Sequence, residues 1–167
     1  MIRKINTLLI LIAAFMLTGC GIYSFTGASI PAEAKTVSIQ HFNNTANLVN
    51  PLLSEIITNT LRDYFMNQTT LEEVPINGDL AIEGEIVDYK ISPTAITVDK
   101  ASLNRLTITV NVRFINIYDD SKNFEQRFSQ YEDYPSNQDL SSVQDELMES
   151  ICEKLCDDIF NKAVVNW

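Results

Sequence analysis

Few side chains in this 167-residue chain combine a reactive type with a spacing that chemistry requires. His41 is the only histidine, and the alternation over residues 36–42 puts it beside Val37 and Ile39 on the apolar face of a short strand. A half-buried structural imidazole fits that position better than a general base. Cys152 and Cys156 stand four apart on one helix face and would offer two metal ligands. A tetrahedral site needs more, and the other candidates are distant in sequence. Both cysteines align with Met148 and Phe160, so they read as small core residues, with a strained disulfide as the alternative in an oxidising compartment. Glu83 and Glu85 share a strand face, where exposed carboxylates shift little without burial. The sequence has no Gly-rich phosphate loop, no His-Glu-x-x-His and no Gly-x-Ser-x-Gly. The expectation is a protein that is not an enzyme, with no cofactor and no metal.

Cys20 is different, because its context specifies a covalent modification. Arg3 and Lys4 precede an apolar run over residues 8–17, too short to span a bilayer, which needs about 20 apolar residues. The run ends in Leu17-Thr18-Gly19-Cys20, which resembles the bacterial lipobox. That motif implies a diacylglycerol on the thiol, cleavage before Cys20 and acylation of the new amine. Several acyl chains at about 0.8 kcal/mol per buried CH2 hold a domain at a membrane essentially permanently. No Asp follows Cys20 and no acidic cluster lies within 21–32, so the inner leaflet of an outer membrane, facing the periplasm, is the expected location. The chain carries 12 basic and 22 acidic residues; without residues 1–19 its net charge falls from −10 to −12. Such acidity repels phosphate backbones and argues against nucleic acid as a partner. The expected organisation is a signal peptide over 1–19, a lipidated tether over 20–35, and a single domain over 36–167.

The elements that position the remaining polar residues follow from periodicity. After the strand at 36–42, Asn50-Pro51 signals a helix start, and Leu52, Leu53, Ile56, Ile57, Leu61, Tyr64 and Phe65 make its apolar stripe to about Gln68. Asn77-Gly78-Asp79 signals a turn into a strand from 80 to about 90. The clearest alternation covers 103–118, a strand of about 50 Å at roughly 3.3 Å per residue. A fourth strand, 123–131, carries Phe124 and Phe128 on one face, and Pro135-Ser136-Asn137 ends it. The last segment reads as a helix of about six turns with two apolar rows, Leu140 to Ala163 and Met148 to Val164, capped by Ser141 with Gln144 or Ser142 with Asp145. Its acidic run, from Asp145 to Asp158, lies opposite and reads as a solvated face. The order β-α-β-β-β-α predicts an α+β fold with two helices packed on one face of a four-stranded sheet.

Helices on one face leave the other to polar side chains: Glu83, Glu85, Arg105, Thr107, Thr109, Asn111, Arg113, Glu125 and Arg127. Such a face is either simply wet or a docking surface whose Thr, Asn and Arg groups bond a polar wall. The loop over 91–102, with Ile96 and Val98 between Lys90 and Lys100 and with Arg105 beyond, is either a mobile hairpin end or a contact for an amphipathic anionic molecule such as a phosphorylated glycolipid.

The segments Cys20-Gly21-Ile22-Tyr23-Ser24-Phe25, residues 37–42 with Asn50-Pro51, Leu103-Asn104-Arg105-Leu106-Thr107-Ile108-Thr109-Val110 and Asp158-Ile159-Phe160-Asn161-Lys162-Ala163 together resemble the LptE family in its Bacteroidota branch. The resemblance covers essentially the whole chain after the signal. It implies a lipoprotein that plugs the LptD outer-membrane barrel and aids its assembly and the delivery of lipopolysaccharide, with no catalytic residue. It also implies lipopolysaccharide contact by basic residues near a strand end, for which Lys90, Lys100 and Arg105 are available, and a sheet of Thr107, Thr109, Asn111 and Arg113 turned to the partner. The chain's acidity favours barrel support over direct lipid handling. The competing expectation is a periplasm-facing lipoprotein adaptor that activates a cell-wall synthase.

Overall fold

The computed structural model describes residues 30–48, 50–94 and 102–165. The expected signal peptide, most of the expected tether including Cys20, and Lys100 with Ile96 and Val98 lie outside the described residues. Among the described residues six strands and two long helices follow in order: β1 (Thr36–Ile39), β2 (Asn43–Asn44), α1 (Pro51–Gln68), β3 (Glu72–Glu73), β4 (Leu80–Pro93), β5 (Leu103–Asn116), β6 (Phe124–Pro135) and α2 (Leu140–Val164). The fold is α+β, as expected, but the sheet is mixed and six-stranded rather than four-stranded. Its order is β3-β1-β4-β5-β6, with β2 continuing beside β4.

The difference arises at the N-terminal edge. The segment read as one strand over 36–42 pairs parallel to β4 in two pieces, Ile39 with Ile82 and then Asn43 with Glu85. Four residues on one side therefore match three on the other. The extra residue flips the side-chain alternation. Val37 and Ile39 point into the core, and so does Phe42, while His41 is exposed rather than lodged on the apolar face. Phe42 donates its N–H to Thr58 Oγ1 at 3.1 Å, and its ring lies over Gly84, where any Cβ would overlap it. β3 has only two exposed glutamates to announce it; backbone pairing with β1 and an ion pair from Arg62 to Glu73 (2.8 Å) define it.

The chain then crosses from β3 to β4 over the outer side of β1. Gly78 lies against the β1 backbone so closely that a Cβ would stand 2.5 Å from the Ser38 nitrogen, and its N–H bonds Ser38 Oγ, which explains the burial of that serine. Asn77 takes a left-handed conformation (φ 55°), which asparagine tolerates in tight turns. Asp79 then gathers three segments: its carboxylate accepts from the N–H groups of Lys35 (2.8 Å) and Thr36 (2.9 Å) and from Tyr118 OH (3.4 Å), and its carbonyl accepts from Ile117.

Asn50 caps α1 as expected, accepting from Leu52 N–H at 2.9 Å with Pro51 following. The α1 stripe is rotated from its expected position: Leu53, Ile57, Leu61 and Phe65 are buried with Ser54 and Thr58, while Leu52 is 44% exposed. Thr58 belongs inside because its hydroxyl bonds both Ser54 O and Phe42 N. The α2 cap is Asp139, not Ser141 or Ser142; Ser142 bonds back to the Asp139 carbonyl. Along α2 both expected rows are present, with Met148, Ile151, Cys152, Leu155, Cys156, Ile159, Phe160 and Val164 buried against α1 and the sheet. Phe160 meets Phe65 edge-on at 5.1 Å between ring centres. The thiols of Cys152 and Cys156 are free and buried; burial pushes Cys152 up to about 12 and Cys156 upward as well, so both act as packing groups. Among the described residues no helix is long and apolar enough to cross a membrane.

Candidate functional site: the polar sheet face

The outer face of β4, β5 and β6 follows from their antiparallel register, in which Arg113 stands between Glu83 and Glu125, Asn111 between Glu85 and Arg127, and Thr107 between Lys90 and Tyr131. A β-bulge shapes it. Ile86 pairs with Val110 but Asp88 pairs with Thr109, so one extra residue enters β4 and the alternation reverses beyond it. Tyr89 thereby turns into the core, and Lys90 turns out beside Thr107.

Part of the face is matched internally, while Glu85, Asp88, Lys90 and Arg127 have no side-chain partner among the described residues. Arg105 makes a two-pronged ion pair with Asp133 (2.7 and 2.9 Å) and lies 3.6 Å over the Tyr131 ring. The guanidinium holds the Asp133 carboxyl below its ordinary range. Thr109 and Ser129 share a hydroxyl bond at 3.0 Å, Asn111 donates to Glu125 at 3.2 Å, and Arg113 reaches Glu83 at 3.5 Å. A depression of about 370 Å3 between β2 and β6 is lined by Asn43, Glu83, Glu85, Asn111, Arg113 and Glu125. Across the face five acidic side chains (Glu83, Glu85, Asp88, Glu125, Asp133) meet four basic ones (Lys90, Arg105, Arg113, Arg127), near neutrality in a strongly acidic chain.

Thr107, Thr109, Asn111 and Arg113 are thus brought together on one face. Lys90 and Arg105 come close on the same face, since Arg105 pairs with Ser92, two residues beyond Lys90. Arg105 is engaged by Asp133 and Tyr131, while Lys90 is exposed and has no ion-pair partner among the described residues. Alternation over 123–131 already puts Tyr131 on this face, though it does not foresee the contact with Arg105; Asp133 is missed because the expected fourth strand stops at 131 rather than Pro135. Among the described residues no cluster of His, Cys, Asp or Glu has the geometry of a metal site.

A mixed sheet backed by two helices, with its open face polar and partly paired internally, defines a two-layer α+β domain. The same architecture occurs in solved structures of low identity. These include a minor lipoprotein from Acinetobacter baumannii (12% identity, TM-score 0.51, covering 77% of this chain and 91% of that one) and a hypothetical protein from Chlamydia trachomatis (11%, 0.52, 80% and 99%). A neuraminyllactose-binding hemagglutinin homologue from Helicobacter pylori is similar to the same degree (10%, 0.51, 84% and 88%). No curated protein sequence matches. The LptE family model, described as lipopolysaccharide-assembly, matches residues 34–163. The chain belongs to the LptE family, and that membership supports a role in lipopolysaccharide assembly.

Proposed function

We propose that this protein is a non-catalytic lipoprotein, acylated at Cys20 and held at the periplasmic side of the outer membrane, that acts as plug and assembly partner of an LptD-type barrel. The observation that carries the reading is the internal pairing of the polar sheet face. Burying a lone charge against another protein is costly, whereas ions already paired and hydrogen-bonded lose less on desolvation. Arg105 with Asp133, Arg113 with Glu83, and Asn111 with Glu125 meet that condition, and Thr107 and Thr109 add neutral hydroxyls. The near-neutral face suits the polar inner wall of a barrel. In this reading Lys90, Arg105 and Lys100 border the site of lipopolysaccharide contact, and Lys90, exposed and without an ion-pair partner among the described residues, is free to meet a phosphate.

The test is a bulky charge in the middle of the face. Thr109→Lys sets a cation opposite Asp88, so the isolated fold should stay within about 0.5 kcal/mol of wild type, as surface substitutions usually do. Against a barrel wall the added ammonium and Asp88 opposite it must both be stripped of water, and the Thr109–Ser129 bond is lost, which together cost several kcal/mol. Recovery of the barrel with the variant from detergent-solubilised envelopes should fall at least tenfold while the melting temperature holds. Undiminished recovery would leave the face merely solvated. Co-purification of a soluble cell-wall synthase instead would favour the adaptor function.

A further inference from the structure

We propose that, before the protein engages a barrel, the end of the domain at which the N-terminal segment enters rests on the lipid surface, with Ile76, Ile117 and Tyr118 in contact with the bilayer. The inference builds on the acylation of Cys20 in the proposed function. Exposed large apolar side chains occur at both ends of the sheet. At one end Ile76 is 67%, Ile117 60% and Tyr118 48% exposed; at the other stand Leu48, Leu52 and Ile91. Scattered apolar residues need no explanation, but a group held together at one end of a charge-rich domain does.

The Ile76 end is held as a unit by Asp79. Ile117 N–H bonds the Asp79 carbonyl, Tyr118 OH reaches the Asp79 carboxylate, and the same carboxylate accepts from Lys35 and Thr36, where the chain arrives from its tether. Ile30 and Pro31 lie at this end too, beside Leu80, Phe114 and Lys162. A tyrosine whose polar tip is bonded and whose ring is half exposed suits the boundary between lipid and water.

Chain length selects this end over the other. Cys20 and Ile30 are ten residues apart, a link that spans at most about 36 Å when fully stretched. Ile91 stands 11 residues along β4 from Leu80, which lies beside Asp79, a distance of about 36 Å. For Leu48 and Ile91 to meet the membrane, the link would have to be drawn out to essentially its full length, at a large cost in chain entropy, whereas the Asp79 end lies where the link joins the domain. Seated on the Asp79 end, the domain stands upright, with its polar sheet face free for a partner.

The test uses the full-length acylated protein in phosphatidylethanolamine vesicles containing a share of dibromo-acyl phosphatidylcholine. Ile76→Cys, Ile117→Cys and Leu48→Cys are labelled one at a time with a small thiol-reactive fluorophore, the native Cys152 and Cys156 being buried. Brominated lipid should reduce the emission of labels at 76 and 117 at least twofold and leave the label at 48 unchanged. Equal emission at 76 and 117 with and without bromine, or quenching at 48 to the same degree, overturns the inference. The mass of the N-terminal peptide in the same sample separates the two levels. An acylated but unquenched protein removes the seating alone, and an unacylated protein removes the anchor and the seating together. Should a labelled variant misfold, hydrogen exchange of the unsubstituted protein provides the readout. Vesicles should slow exchange in the connections around Ile76 and Ile117 relative to detergent-free acyl-removed protein, and unaltered exchange there counts against the seating.

Discussion

Asp79 shows how much one side chain organises here, and its charge state is the lever that tests it. The Lys35 N–H is the main cause that holds the carboxyl below its ordinary range, partial desolvation opposes it, and bonds from Thr36 and Tyr118 add to the lowering. A folded-state value below the unfolded one means that the unfolded chain takes up the proton more readily. The stabilisation is therefore complete above the ordinary carboxylate value of about 3.9 and is lost as pH falls through and below it. Glu132, lowered chiefly by Lys154 and then by Ser150, and Asp133, lowered by Arg105, act in the same direction. Asp79→Asn should lower the melting temperature at pH 7 and narrow the gap between the melting temperatures at pH 7 and pH 3. An unchanged gap would mean that the carboxylate does not hold the tether entry to the sheet.

At the level of elements, the contact of Phe42 with Gly84 links the N-terminal edge to the long strands. Gly84 occupies a core-facing position of β4, and the Phe42 ring fills the space that a side chain would take. Gly84→Val should destabilise the domain by about 1–3 kcal/mol, the usual range for overpacking, and Phe42→Leu in the same chain should restore part of the loss. Denaturant unfolding of the two single variants and the double variant measures the coupling; additive losses would show that the ring does not depend on the glycine. The same region marks the limit of what the sequence displays. Asn50-Pro51, the apolar rows of α2 and the strict alternation of β5 are local signals, and all three elements form where they predict. Glu72 and Glu73 are exposed and carry no strand pattern, so β3 exists only because β1 offers a backbone to pair with. The extra residue before Asn43 and the bulge after Ile86 are likewise set by partners distant in sequence, and each reverses the faces beyond it. The polar face itself was legible, because alternation assigns Thr107, Thr109, Asn111 and Arg113 to one side. The pairing of Arg105 with Asp133 was not, since it depends on the β5–β6 register.

Over the whole molecule, the acidity is segregated. α2 carries six acidic residues against Lys154 and Lys162; Asp158 turns to Gln130 of β6 and the other five are exposed, whereas the open sheet face is close to neutral. The two surfaces therefore predict opposite responses to salt if either is where the partner binds. Mobile ions shorten the reach of charge from about 10 Å at 0.1 M to about 3 Å at 1 M, which weakens attraction between surfaces of opposite net charge and has little effect on a face with almost no net charge. Docking through Thr107, Thr109, Asn111 and Arg113 should thus change less than threefold in affinity between 0.1 M and 1 M NaCl, measured with the acylated protein and the purified barrel in one detergent. Docking through Asp145, Glu149, Glu153 and Asp157 to a basic partner would instead weaken more than tenfold over the same interval. A steep salt dependence would move the interface from the sheet to the outer side of α2 and make the adaptor reading the stronger one, since a basic soluble domain is the partner that such a stripe would attract.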